Sequence, residues 1–354
     1  MKIIIHPFPA PADNNMFLKL LYKEVDGHGF NDAVFKVEPR SLLKIFKNAR
    51  RGKDKHVIHV HWEAVLYGSK FVIKSLILMG VNFTMLFILK KIYGMKICWT
   101  MHNFKSHDYP HPLIDRFGRS MLFSIADALI IMQESVYKEW YQAHPQKDIR
   151  YIPLGNYIGA YTPTLKSSVE IRKEFGLQAD DIVLLSFGTV KPYKKVDEII
   201  KVFKQTNLDS KIKLCIIGSA KGPYATYLDE LISSHPDIIF KNMFVKDEEV
   251  VDILKMADYS VFWYDDTVLT SAGLTLSLSY GTPVIVRDIP AAERVRDGLN
   301  GFLFNNADEL ADIFKKLPRT SRPSKEQVIR SIENESWALE AKSFMQLCAD
   351  IFKR

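Results

Sequence analysis

The feature that most constrains this chain is a rhythm of short, nearly continuous apolar runs separated by longer segments with helical spacing. The runs are KIIIH at 2–6, HVIHVHW at 56–62, KICWTMHN at 96–103, ALIIM at 128–132 and DIRYIPL at 148–154. Such runs read as strands, and the helices between them make βαβ units around a parallel sheet. Because the runs do not alternate with polar residues, helices are expected on both faces of that sheet. At 159–168 the sequence GAYTPTLKSS breaks the rhythm with Gly, Pro, Ser and Thr, the composition of an interdomain linker. The rhythm then restarts with DIVLLSFG at 181–188, KLCIIGS at 213–219, IIFKNMFV at 238–245, ADYSVFWY at 257–264 and TPVIVRD at 282–288.

The expected architecture is therefore α/β, with two Rossmann-like doubly wound domains facing a central cleft. The first spans 1–162 and the second 169–334, and the 354-residue length suits two domains. Residues 335–354 read as a final helix, with Trp337 near its start, that crosses back to the first domain. In open α/β sheets ligands bind beyond strand C-termini. Three such ends in the first domain carry polar residues: His61, Trp62 and Glu63; His102 and Asn103; Gly155 and Asn156.

Charge is uneven. Residues 1–160 carry 22 Lys+Arg against 13 Asp+Glu, or +9, and the remainder 26 against 28, or −2, which returns the overall +7. A basic front half raises the local concentration of anionic partners, such as phospholipid head groups or a lipid pyrophosphate; the plain alternative is a solvated basic face. No nucleic-acid recognition motif accompanies the charge, so nucleic acid is not an expected partner. The most apolar stretch, SLILMGVNFTMLFIL at 75–89, lies between Lys74 and Lys90 and is shorter than a membrane span. It reads as a buried helix, with a helix lying on lipid head groups as the alternative. Cys98, Cys215 and Cys348 fit neither a disulfide framework nor zinc-ligand spacing. The opening MKIIIHPFP lacks the features of a signal peptide. The expected location is the cytoplasm, peripheral on the inner face of the membrane.

Two segments of the second domain carry phosphate chemistry. LLSFGTVKPYKKVDEII at 184–200 places a strand, a Gly turn, Lys191 and Lys194 before a helix beginning near Lys195, so ammonium groups and helix N–H groups converge on an anion. In DDTVLTSAGLTLSLSYGTPVIV at 265–286, Thr270 or Ser271 caps a helix that opens with Ala272, Gly273 and Leu274. Either segment alone is a tidy helix start. Two in one α/β domain point to a diphosphate.

In chain order, Thr100, His102 and Asn103 (with Met101 inserted) at a strand end, then IPLGNY, FGTVKPYKKVDEII, IIGSAKG, FVKDEEV, ADYSVF, the small-residue helix start with YGTPVIV, and AERVRDGLNGFLF resemble the group 1 nucleotide-sugar glycosyltransferases of GT-B fold. The resemblance covers nearly the whole chain. It implies a hexosyltransferase that moves a sugar from a UDP- or GDP-sugar to a glycan or lipid-linked oligosaccharide, in polysaccharide or glycoconjugate synthesis, without a cofactor or a metal ion. It makes Lys194 the donor-phosphate lysine, with Lys191 beside it and Gly188 and Thr189 in the turn; many relatives have arginine where Thr189 stands. It puts Gly218, Ser219, Phe244 and Val245 at the nucleoside, and Ser271, Ala272, Gly273 and Leu274 at the diphosphate.

The same resemblance leaves a departure. The E-x7-E glutamates of retaining members fall on Val268 and Leu276, with Asp265 and Asp266 just upstream, so retention is not implied. An inverting transfer needs a base for the acceptor hydroxyl. His102 ranks first, followed by Glu63 and Asp108, with His61, Asn103, His107 and Asn156 on the acceptor side. The plain alternatives are that His61 and His102 bond neighbouring backbone and that Asp108 caps a turn. His102, His107 and His111 also raise a metal site, but Pro110 and Pro112 deny them helical spacing and no Asp-x-Asp motif is present. Two other functions fit the fold: a sugar-nucleotide-binding protein without catalysis, and a sugar-nucleotide 2-epimerase.

Overall fold

The computed structural model describes residues 1–11, 15–50, 52–107 and 109–353. They form two compact units, one made of the chain up to Gly155 together with the segment from Glu335 onward, the other of Asn156–Asn334.

In the first unit, strands β1 (Lys2–Phe8), β2 (Gly29–Phe30), β3 (Ala33–Val37), β4 (Lys55–Val60), β5 (Lys96–Met101), β6 (Ala128–Ile131) and β7 (Asp148–Tyr151) make one sheet in the order β2-β3-β1-β4-β5-β6-β7. Every neighbouring pair is parallel except the hairpin β2–β3. Helices α1 (Met16–Val25), α2 (Leu42–Asn48), α3 (Val72–Lys91), α4 (Pro112–Ile125) and α5 (Glu134–Ala143) connect them. Ile3, Ile5, Val57, Ile58, Ile97 and Leu129 are fully buried, as expected of strands covered on both faces. The hairpin was not expected from apolar runs. It turns on Asn31 and Asp32, both at positive φ (46° and 61°), the backbone of a type I′ turn, whose twist matches that of the flanking strands.

Helix α3 departs from the expected buried helix. Ser75, Met79, Phe83, Leu86 and Leu89 are buried, but Ile73, Leu76, Ile77, Val81 and Phe87 on the opposite face are exposed. The helix is apolar around its circumference, and the unit offers a surface to one side of it only.

The second unit holds β8 (Ile182–Phe187), β9 (Ile212–Ile217), β10 (Ile238–Lys241), β11 (Tyr259–Phe262), β12 (Val284–Arg287) and β13 (Gly301–Phe304), all parallel, in the order β10-β9-β8-β11-β12-β13. Its helices are α6 (Ser168–Glu174), α7 (Val196–Gln205), α8 (Pro223–Ile232), α9 (Asp247–Met256), α10 (Ala272–Ser279), α11 (Ala307–Lys316) and α12 (Lys325–Arg330). Ile199, Phe203, Ile216, Val261, Ile285 and Phe314 centre its core. The segment read as a linker is bound to this unit: Tyr161 N–H donates to Tyr280 OH (2.7 Å) and Thr164 Oγ1 to Asp252 (2.6 Å), and just before it Tyr157 N–H donates to Ser279 Oγ (2.8 Å).

The last helix, α13 (Trp337–Asp350), belongs to the first unit and packs on α1, as the expected crossing back requires. Phe344 stacks on His59 with ring centroids 4.4 Å apart, and Trp337 meets Phe17 edge-on. Gly155 makes room for this helix, because a Cβ there would lie 2.6 Å from the Trp337 ring.

Candidate active site

An open parallel sheet leaves a crevice at its C-terminal edge where the strand order reverses. In the second unit this switch point lies between β8 and β11, so the loops that follow those two strands are the ones placed to hold a ligand. After β8, Gly188 turns the chain at φ 92°, and Lys194 folds back so that its Nζ lies 3.5 Å from where a Gly188 Cβ would stand. Residues Pro192–Lys194 form one 3-10 turn, Lys195 takes a left-handed φ of 44°, and α7 starts at Val196. Crowding by protein, and then the charge of Lys191, lower the Lys194 ammonium to about 8. Desolvation favours the neutral amine, and an anion placed beside it would favour the charged form.

The neighbouring strand ends are locked to this turn. A Cβ on Gly218 would lie 1.8 Å from the Gly188 carbonyl oxygen, so only glycine fits. Val190 N–H donates to Ser219 O (3.0 Å), and Ala220 N–H to Asn242 Oδ1 (2.9 Å). Thr189 is exposed, Val245 is half-buried, and Phe244 stands 66% exposed just past β10. From the other side of the switch point, Asp265 N–H donates to Tyr193 O (3.0 Å), which draws the β11 loop against the lysine turn. That loop ends at Ser271, whose Oγ caps α10 by accepting from Leu274 N–H (3.1 Å) and is bonded to Tyr264 OH (2.7 Å). The expectation that Leu274 N–H faces a ligand is therefore corrected, since its own cap takes that proton. Among the described residues, the N–H groups of Ala272 and Gly273 meet no acceptor.

In the first unit the switch point lies between β1 and β4, where His61 N–H donates to Phe8 O (2.9 Å). His61 heads a buried chain of polar side chains. Thr100 Oγ1 meets His59 Nε2 (2.8 Å), His59 Nδ1 meets Tyr22 OH (2.8 Å), Tyr22 OH meets His61 Nε2 (2.7 Å), and His61 Nδ1 meets His102 Nε2 (3.2 Å). Each link needs one proton, and if the Tyr22 hydroxyl donates one of its two links and accepts the other, every donor points from Thr100 toward His102 or every donor points the other way. Burial lowers His59 and His102 to about 3 and His61 well below its usual range, so all three rings are neutral at pH 7. Trp62 stacks on His102 at 4.5 Å.

The other first-unit candidates divide. Glu63 is buried and paired with Arg119, whose guanidinium also donates to Asn103 O (2.7 Å) and lies 5.2 Å over the Trp99 ring. Burial raises the Glu63 carboxyl despite that partner. Asp115 accepts from Ser106 N–H (3.1 Å) and from Tyr67 OH (2.8 Å), so Glu63 and Asp115 together anchor the loop after β5. His107 lines a cavity of about 730 Å³ with Trp99, Arg116, Phe123 and Trp140. Asp108 lies outside the described residues. Asn156 falls in the second unit, where its Nδ2 donates to Ile332 O (3.1 Å) and Glu333 O (3.3 Å).

Residues 167–334 match the family described as glycosyl transferases group 1. That match spans nearly the whole of the second unit. The chain is 23% identical over 241 residues to a D-inositol 3-phosphate glycosyltransferase of Thermobispora bispora, covering 62% of this chain and 55% of that protein, so it spans about half of that relative. It is 22% identical over 306 residues to an N-acetyl-alpha-D-glucosaminyl L-malate synthase of Bacillus anthracis, covering 83% of this chain and 73% of the relative. The structure of Anabaena Alr3699/HepE in complex with UDP matches with a TM-score of 0.70 at 14% identity, over 99% of this chain and 100% of that one. The fold is GT-B.

Val268 and Leu276, the positions on which the sequence resemblance puts the E-x7-E glutamates, are both buried. Asp266 pairs with Arg287 (2.7 Å), and Asp265 accepts from Thr267 N–H (2.9 Å). Sequence reading missed Tyr22, His59 and Arg119. One signal was available for His59: at i and i+2 on a strand, His59 and His61 must share a face.

Proposed function

We propose that the chain transfers a hexosyl residue from a nucleoside-diphosphate sugar to a hydroxyl of a glycan or lipid-linked glycan, in the synthesis of a polysaccharide or glycoconjugate. The observation that carries this reading is the pairing of two anion-ready loops at one switch point: the Lys191–Lys194 turn after β8 and the start of α10 after β11. The matched structure was solved with UDP, which supports a uridine or related nucleotide as donor.

In this reading the acceptor oxygen bonds to the anomeric carbon as the bond from that carbon to the diphosphate oxygen breaks. The acceptor proton passes to a general base, and the leaving diphosphate takes up negative charge beside Lys194, Lys191 and the N–H groups of Ala272 and Gly273. Cations and dipoles fixed before the reaction stabilise that charge most strongly. The chain supplies this charge itself, so transfer is expected to persist with chelator present and no cofactor added. The free Cys98, Cys215 and Cys348 are all buried, which suits a reducing cytoplasm.

The test is a thermal-shift series with UDP, GDP, ADP and their sugars, followed by acceptor mass analysis. One nucleoside diphosphate is expected to raise the melting temperature, and Lys194→Ala to abolish the shift and lower kcat/KM about 100- to 1,000-fold. No shift with any nucleotide at about 1 mM overturns the reading. The buried Val268 and Leu276 favour one second reading, a sugar-nucleotide-binding protein without transfer. Saturable binding with no turnover across a broad acceptor panel selects it.

A further inference from the structure

Helix α3 is apolar all round, and such a helix is ordinarily buried on every side or in contact with lipid. It has a mean hydropathy of 2.1, and only 33% of its most apolar window is buried within the protein. Its outward face runs through Ile73, Leu76, Ile77 and Phe87, with Ile73 73% exposed. Helix α4 packs beside it and adds Leu113 and Phe117, one turn apart and 81% and 60% exposed. An apolar patch shared by two neighbouring helices marks a contact surface.

Charge indicates what covers it. Between Glu63 and Asp108 the chain has six lysines and no acidic residue. Lys70, Lys74, Lys91 and Lys105 are exposed, and Arg116 stands between Leu113 and Phe117 in the α4 sequence. A second copy of the chain would bring like charges together across this face. The anionic surface of a bilayer complements it, with apolar side chains entering the acyl boundary and lysine stems reaching back to phosphates.

We propose that α3 and the first turns of α4 seat the protein on an anionic lipid surface, with α3 in the plane of the interface. A transmembrane course is incompatible with the packing of its inner face, where Met79, Phe83 and Leu86 are buried and Asn82 Nδ2 donates to Leu66 O (2.7 Å).

The experiment is flotation of the full chain with vesicles of phosphatidylcholine, and of phosphatidylcholine with about 30% phosphatidylglycerol, without sugar nucleotide. The chain is expected to float with the anionic vesicles. Binding should weaken at least about tenfold on the neutral vesicles or at about 0.5 M salt. The paired variants Leu76→Gln/Ile77→Gln and Leu113→Gln/Phe117→Gln change exposed residues, so they should keep the melting temperature while losing about tenfold in binding. Lys70→Glu/Lys74→Glu should remove the preference for anionic lipid, and it decides the matter even if a glutamine pair proves unstable. Failure of the wild-type chain to float, equal flotation with both vesicle types, or a dimer that the glutamine pairs dissociate without any vesicle binding would each overturn the proposal. None of these outcomes bears on the transfer reading, because no donor is present.

Discussion

The two units solve opposite electrostatic problems. The first holds nine of the ten histidines and keeps its central three neutral by burying them in a chain that satisfies its own hydrogen bonds. The second leaves charge unsatisfied: Lys194 is crowded by protein and faces Lys191, while two N–H groups at the start of α10 point at no acceptor among the described residues. A closed network and an open anion site differ in what acid, base and mutation do to them. The first should respond to perturbation as a stability element and the second as a binding element.

The largest expected difference is toward acid. His59, His61 and His102 have folded pKa values far below the ordinary 6.5, so an unfolded chain binds their protons first. Their contribution is fully present above pH 6.5 and is lost as pH falls. By pH 5.5 the three remove about 4 kcal/mol from the first unit. The second unit has only His235 and should lose far less. Hydrogen exchange at pH 7 and 5.5, read unit by unit, checks this; equal loss of protection in both would break the contrast.

Next is removal of one charge from each unit. Glu63→Ala leaves the Arg119 guanidinium without its carboxylate in a largely buried site and should destabilise the first unit by about 3 kcal/mol. Lys194→Ala removes a desolvated cation and should leave the melting temperature unchanged or raised, while nucleotide binding is lost. A fall in melting temperature for Lys194→Ala would mean that its ammonium has a structural partner. Smaller again is Tyr22→Phe, which deletes the hydroxyl that joins His59 to His61 and strands two buried ring nitrogens, at about 1–3 kcal/mol. It also frees the donor direction of the histidine chain, so the ring-nitrogen NMR shifts of His102 should change although Tyr22 does not touch it.

These differences also decide what was legible in the sequence. The lysine turn and the capped α10 are local in the chain, with Gly, Lys and Ser at short spacing before a helix, so the sequence pattern carries them. The parallel sheets were legible for the same reason, since continuous apolar runs record burial on both faces. The histidine chain was not, because Tyr22 and Thr100 reach His59 from α1 and β5, at sequence separations of 37 and 41 residues. Arg119 reaches Glu63 across 56 residues, and without it Glu63 looks like a free base. For α3 the sequence left two readings, a buried helix and one lying on lipid head groups, and did not choose between them. Apolar composition predicts burial, and nothing in the pattern states how much protein is present to provide it.

The smallest effect separates the units on the alkaline side. Lys194 is lowered to about 8 by desolvation, so its charge declines across the range in which an ordinary lysine stays fully protonated. A bound diphosphate favours the charged form, and binding therefore takes up a proton above pH 8. The diphosphate of a nucleotide sugar is diesterified and has no proton of its own to lose in this range. Its affinity should be level below pH 7.5 and about tenfold weaker at pH 9. Lys194→Arg keeps a cation that does not titrate there and should flatten the profile, even if its fork fits the turn less well. A wild-type profile that stays flat to pH 9 would place the diphosphate away from Lys194 and transfer its stabilisation to the start of α10.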